Sequence, residues 1–284
     1  MDELMDWLKQ AQAKLASDVY FLPQAEDYAV YFRVAAQFQL QQKVASADAI
    51  RWINNLKFSA GMNVAEHRRV QLGALRLPEA KLELRLSSVG DVNNRESLVV
   101  RLLYGIPPLD AAAAQVVARL KAVIQRRGML ALSGATGSGK TTLLYQLADQ
   151  LAASKMVMTI EDPVEILHAA FLQLQVNPAA EMTYAALLKA ALRHRPDVLL
   201  IGELRDQETA QVACEAALSG HIVLTTVHAR EAALVPTRLI AMGVPRALVQ
   251  AALTASAQVN LVWKPQVHAD IELVVWQQAQ GGNA

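Results

Sequence analysis

Residues Gly134-Ala135-Thr136-Gly137-Ser138-Gly139-Lys140-Thr141 constrain the fold more than any other stretch of this chain. Their spacing is that of a P-loop, in which glycines let the backbone curl until successive N–H groups point inward at phosphate oxygens. Such a loop belongs between a strand and a helix whose N-terminus faces the anion. Both flanks are present: Met129 to Leu132 is a short apolar run, and Thr142 to Leu147 opens a helical pattern. Gly134 starts the turn, and the N–H groups of Thr136, Gly137, Ser138, Gly139, Lys140 and Thr141 form the expected cradle, with Thr142 next in the helix. Lys140 reaches for the β/γ-phosphates and the Thr141 hydroxyl is placed to hold Mg²⁺. A nucleoside triphosphate is the expected ligand.

Three further segments bear on that site. Val198 to Glu203 is an apolar strand ending in a carboxylate, with Gly202 where many NTPases carry aspartate. Strand ends of a parallel sheet face the ligand, so Glu203 is placed to contact Mg²⁺ through water or to orient the attacking water. A surface glutamate capping the next helix is the bland alternative. Ile160-Glu161-Asp162-Pro163-Val164-Glu165 crowds three acids into five residues, which repel one another unless a cation such as that of Mg²⁺–ATP offsets them. A solvated turn around Pro163 is the other reading. His221 and His228 bracket the apolar run 222–227; His228 falls on the nucleotide side, His221 on the opposite edge.

Alternation of helical and short apolar runs from Ala111 to Thr226 predicts a mostly parallel sheet covered by helices on both faces. Upstream the texture differs. Leu4, Leu8, Ala11 and Leu15 recur at helical spacing, and alternating runs at 19–22, 28–34 and 38–44 read as antiparallel strands. Ser46 is placed to cap a helix carrying Ile50, Ile53 and Leu56 that ends near Gly61. Runs at 70–77, 81–86 and 98–103 complete an α+β module. Gly105-Ile106-Pro107-Pro108 forbids a continuous helix or central strand, so 105–109 is the expected linker between domains 1–104 and 110–284.

Composition narrows the function. An apolar content of 53% supports a real core, while a net charge of +1 and 5% aromatics do not suggest nucleic-acid binding. The single cysteine, Cys214, leaves no disulfide or multi-cysteine zinc site within the chain. The uncharged stretch from Ala247 to Trp263 is interrupted by Gln250, Thr254, Ser256, Gln258 and Asn260, a poor membrane span.

The P-loop, then Thr159 to Glu165, then Ile201-Gly202-Glu203-Leu204-Arg205-Asp206, then Ser219 to His228, resemble in order the Walker A motif, aspartate box, atypical Walker B motif and histidine box of the secretion ATPase superfamily. Its members drive type II secretion, type IV pilus assembly and retraction, and competence pseudopilus assembly. Gly61 to Arg68 and Ser17 to Tyr20 extend the resemblance upstream. It implies a RecA-like ATPase domain preceded by a smaller, PAS-like α+β domain, with ATP and Mg²⁺ as cofactors. Glu203 or Glu161 would be the general base, Lys140 and His228 would act on the γ-phosphate, and Thr141 and Glu203 would hold the metal, Glu203 through water. Arg85 and Arg101 stand where the family has arginines in its N-terminal domain; pairing with Glu83 or Glu96 is the competing expectation, and Arg95 reads as a solvated turn residue.

The resemblance further implies a homo-oligomer, a hexameric ring, acting on a polytopic membrane platform protein from the cytoplasmic face of the membrane. No direct nucleic-acid contact and no zinc are expected, since larger members carry a four-cysteine zinc insertion that one cysteine cannot supply. The strand that bears histidine and glutamate in the family reads Asp18-Val19-Tyr20-Phe21-Leu22-Pro23 here. Compactness is similar to competence pseudopilus ATPases. A pilus retraction ATPase and a DNA-translocating P-loop motor are the alternatives.

Overall fold

The computed structural model describes residues 2–34, 37–78, 82–262 and 268–276. Chain contacts divide into two units, Met1–Gly105 and Ile106–Ala284.

The first unit opens with α1 (Asp2–Ala13), followed by β1 (Ala16–Pro23), β2 (Asp27–Val34), β3 (Gln37–Ala45), α2 (Ser46–Ser59), β4 (Gln71–Leu77), β5 (Leu82–Gly90) and β6 (Glu96–Leu103). The strands form one antiparallel sheet in the order β3-β2-β1-β6-β5-β4. Period-two alternation decides which face is buried. Val19, Phe21, Val30, Phe32, Leu84, Leu86, Leu98 and Val100 line one face and pack with Leu4 and Leu8 of α1 and Ile53 and Leu56 of α2.

Two expectations change in detail here. Leu15 lies beyond α1, in a left-handed conformation and exposed. Ser46 does not cap α2; it is the first helical residue, and its hydroxyl donates to the Glu26 carbonyl at 2.9 Å. Lys81, at the start of an expected strand, and Trp263 lie outside the described residues.

Residues 104–110, which run across the boundary between the units, have no regular structure, and Asp110 then caps α3 (Ala111–Val123) by accepting from the Ala113 N–H. There follow β7 (Gly128–Ser133), α4 (Lys140–Ala152), β8 (Val157–Glu161), β9 (Leu172–Gln175), α5 (Tyr184–Arg193), β10 (Val198–Ile201), α6 (Gln207–Leu218), β11 (Ile222–Thr226), α7 (Val235–Ala241), α8 (Arg246–Ala252), β12 (Leu253–Val262) and β13 (His268–Val275). The sheet runs β13-β12-β7-β11-β10-β8-β9 and is parallel throughout except for the β12–β13 pair.

Alternate residues of each strand feed opposite cores. Leu130, Leu132, Val157, Val198 and Leu200 pack with α3 and α4, while Met129, Ala131, Met158, Leu199 and Ile201 pack beneath α5 to α8. Burial on both faces explains why these strands read as unbroken apolar runs. This is an α/β fold around a mixed, mainly parallel sheet. Among the described residues no helix is long and apolar enough to cross a membrane.

Candidate nucleotide site

The parallel strands β7, β8, β10 and β11 end on one edge, and the chemistry-bearing side chains collect there. The P-loop leaves β7 and enters α4 at Lys140. Gly139 precedes the helix at φ +91°, a left-handed conformation that disfavours any side chain. At Gly134 (φ +135°) a Cβ would stand 2.5 Å from the Val259 carbonyl oxygen of β12, so only glycine lets the loop lie this close to the sheet. The N-terminus of α4 has neither a side-chain cap nor an acidic residue in its first turn, and Thr141 and Thr142 lie within that turn. Ser138 is buried and its hydroxyl has no protein hydrogen-bond partner. Uncapped N–H groups, a positive helix end and an orphan hydroxyl are the surroundings a phosphate group needs.

Lys140 Nζ donates to the carbonyls of Gly134 (2.9 Å) and Ala135 (2.7 Å), which holds the ammonium over the loop. Desolvation lowers its pKa, opposed by the carboxylates of Glu203 and Glu165. Those two acids therefore face the lysine electrostatically.

Glu203 follows β10, and both its oxygens are engaged. Arg205 pairs with Oε1, and His228, just beyond β11, lies with Nε2 3.1 Å from Oε2. The Arg205 pKa is raised, chiefly by this hydrogen bond. The helix after Glu203 is capped by Asp206, which accepts from the Thr209 N–H, so Glu203 is not a capping residue. At Gly202 a Cβ would sit 3.2 Å from the Tyr184 hydroxyl, so a larger residue would press on Tyr184. Burial, then Asp162 and Glu203, raise the pKa of that tyrosine.

Glu161 differs from Glu203. It is buried, and its Oε1 accepts from the hydroxyls of Tyr145 and Thr159, each at 2.6 Å. Desolvation raises its pKa despite those two donors. His221 stands at the other end of β11, its Nδ1 3.0 Å from the Ala216 carbonyl oxygen, away from this cluster.

In the first unit, Arg101 of β6 pairs with Asp18 of β1 (Nε–Oδ1 2.9 Å), not with Glu83 or Glu96. Glu83 is taken by Arg76, and Glu96 by Lys57 and His67. Arg85 of β5 stands directly opposite Arg101. Arg95 is half-buried rather than solvated: it pairs with Asp91 at 3.0 Å and donates to the Gln24 carbonyl. The sequence assigns no individual role to Arg205, Glu165, Tyr184 or Tyr145. Arg205 and Glu165 lay inside recognised motifs; the two tyrosines looked like ordinary helix residues.

With this geometry established, the comparisons with known proteins are specific. The chain is 42% identical over 242 residues to "Competence protein ComGA" of Streptococcus pneumoniae, covering 84% of this chain and 76% of that one. It is 37% identical over 267 residues to "Competence protein ComGA" of Bacillus subtilis, covering 90% and 74%. In fold it is similar to the Legionella pneumophila ATPase DotB, with a TM-score of 0.80 at 22% identity over 98% of this chain and 81% of that one. Residues 2–275 match the family described as "Type II/IV secretion system protein", and the chain belongs to that family.

Proposed function

We propose that this chain is an ATP-hydrolysing motor powering assembly of a competence pseudopilus or a related type IV pilus-like fibre. One observation carries the reading: Glu203, at the end of β10, is hydrogen-bonded by His228 from the end of β11 while its charge acts on Lys140 of the P-loop. A carboxylate, a polar reporter and a phosphate-binding lysine thus converge on one sheet edge. The curated relatives named competence proteins point the same way.

Thr141, with Glu203 through water, would hold Mg²⁺, which when bound neutralises charge on the phosphates. Lys140 and the N–H groups of residues 136–141 bind and orient the triphosphate. Glu203 orients the attacking water and takes its proton; Glu161, enclosed by hydroxyl donors, is a fixed support. His228 contacts the γ-phosphate and transmits its loss to Glu203. By the family resemblance, Arg85 and Arg101 would supply positive charge to the phosphates. On this reading the second unit is RecA-like and the first PAS-like, the subunits form a hexameric ring, and the ring acts on a polytopic platform protein from the cytoplasmic face of the membrane.

The test is fibre assembly in the host cell. A strain carrying Lys140→Ala in place of the natural chain should make no surface fibre at normal protein levels. Normal fibres in that strain would contradict the motor reading.

A further inference from the structure

The P-loop helix also grips the aspartate-box loop. Tyr145, on the second turn of α4, is fully buried, and its hydroxyl donates to Glu161 Oε1 at 2.6 Å. The same hydroxyl accepts from Gln173 Nε2 at 2.7 Å. Gln173 in turn donates to the Ile166 carbonyl at 2.8 Å and accepts from the His168 N–H at 2.8 Å. One turn after Tyr145, Asp149 of α4 pairs with His168 at 3.0 Å. The loop 162–171 is therefore held to α4 at two heights, and the Tyr145 hydroxyl joins the helix to β8 through Glu161 and to the loop through Gln173.

This arrangement bears on the site because Glu165 lies in that loop and its carboxylate acts electrostatically on Lys140. A buried phenol hydroxyl needs a hydrogen-bond partner. Here it is spent on a carboxylate at a strand end, in a network in which every donor has an acceptor.

We infer that Tyr145 is a positioning residue of the nucleotide site: its hydroxyl holds Glu161 at the start of the aspartate-box loop and, through Gln173, the loop that carries Glu165. The inference rests on the ATPase reading for its kinetic consequence but not for its structural one.

The experiment compares the full chain with Tyr145→Phe, Glu161→Gln and the double variant. Tyr145→Phe should lower kcat about tenfold while the Kd for a fluorescent ATP analogue stays within about twofold, since the interaction acts on the reacting geometry rather than on ground-state binding. In the Glu161→Gln background the same substitution should cost less than about twofold, because two residues acting through one junction are not additive. Hydrogen exchange gives a readout independent of activity: amides of 162–171 should exchange faster in Tyr145→Phe while those of α5 do not change. Gln173→Met, at a partly exposed site, should produce a smaller loss in the same direction and serves if Tyr145→Phe does not fold.

Unchanged exchange in the loop, an unchanged kcat, or an equal loss with and without Glu161 would overturn the positioning role. A natural chain that hydrolyses no ATP, yet whose loop loosens in Tyr145→Phe, would sink the ATPase reading and leave the structural role of Tyr145 standing.

Discussion

Asp18 accepts a hydrogen bond from Arg101 Nε at 2.9 Å, and it is the one acid in a row of three arginines in register across four strands of the N-terminal sheet. Arg33 on β2 and Arg101 on β6 flank it, and Arg85 on β5 stands next to Arg101. Like charges directly opposite one another destabilise a sheet, so Asp18 offsets repulsion that the arginines would otherwise exert. Arg101 remains 61% exposed despite the pair and so stays accessible.

Asp18→Asn should therefore lower the stability of the chain by about 1.5–3 kcal/mol at most, the range for hydrogen bonds to charged groups. Part of that loss should be recovered at high salt, because the exposed arginines are screened while packing is not. Urea denaturation at two ionic strengths measures both. A salt-independent loss would mean that Asp18 acts through shape alone.

The Gly61 to Arg68 segment owes its form to a buried ion pair. Lys57, fully buried, donates to Glu96 Oε1 at 2.6 Å and to the Glu66 carbonyl at 2.7 Å, while His67 Nδ1 lies 2.8 Å from Glu96 Oε2. Glu96→Ala would strand an ammonium in the core and should cost about 3–5 kcal/mol, whereas Lys57→Met with Glu96→Leu should cost much less. Denaturation midpoints for the three chains decide this; equal losses for the single and double variants would refute it.

What was legible in the sequence, and what was not, follows from how far apart the partners lie. The P-loop declares itself because phosphate binding dictates glycines at fixed offsets, and β7, β10 and β11 do so because burial on both faces makes them mostly apolar. β12 was read only as a poor membrane span. Its Thr254 and Ser256 obscure a strand whose Ala255, Ala257 and Val259 are core. The polar cost is met by distant groups: the Ser256 hydroxyl donates to the Ala232 carbonyl at 2.7 Å and accepts from Trp276 Nε1 at 2.8 Å. Arg101 was offered nearby acids, but pairing of β1 with β6 brings up Asp18 from 83 residues away. Tyr145 was silent because a buried aromatic on a helix looks the same with or without a carboxylate at its hydroxyl.

Cys214 is a structural thiol. It is buried in α6, and burial pushes its pKa up to about 12 from an ordinary 9.0. The folded state keeps the proton that the unfolded chain gives up, so this contribution to stability is present below pH 9.0 and lost as pH rises toward about 12. A thiol reagent at pH 8 should label the native chain only at the rate at which it opens, and urea should accelerate labelling sharply. Rapid labelling without denaturant would contradict the burial.

Glu203 and Glu161 should separate kinetically. Glu203→Gln should reduce kcat for ATP hydrolysis by about a hundredfold or more, within the range for removing a positioned general base, with little change in ATP affinity. Glu161→Gln keeps the shape of the carboxylate and should cost less. Steady-state kinetics of the two variants measures the difference, and the reverse order would reassign the base to Glu161.

The most direct measurement is Mg²⁺-dependent ATP hydrolysis per subunit across a wide range of protein concentrations, for the natural chain and for Lys140→Ala. The account predicts hydrolysis that a chelator abolishes, specific activity that climbs as subunits assemble, and loss of activity in Lys140→Ala at every concentration. Turnover by Lys140→Ala equal to that of the natural chain, or none by the natural chain even when it is assembled, would contradict the claim that the edge formed by Lys140, Glu203 and His228 is an ATPase site.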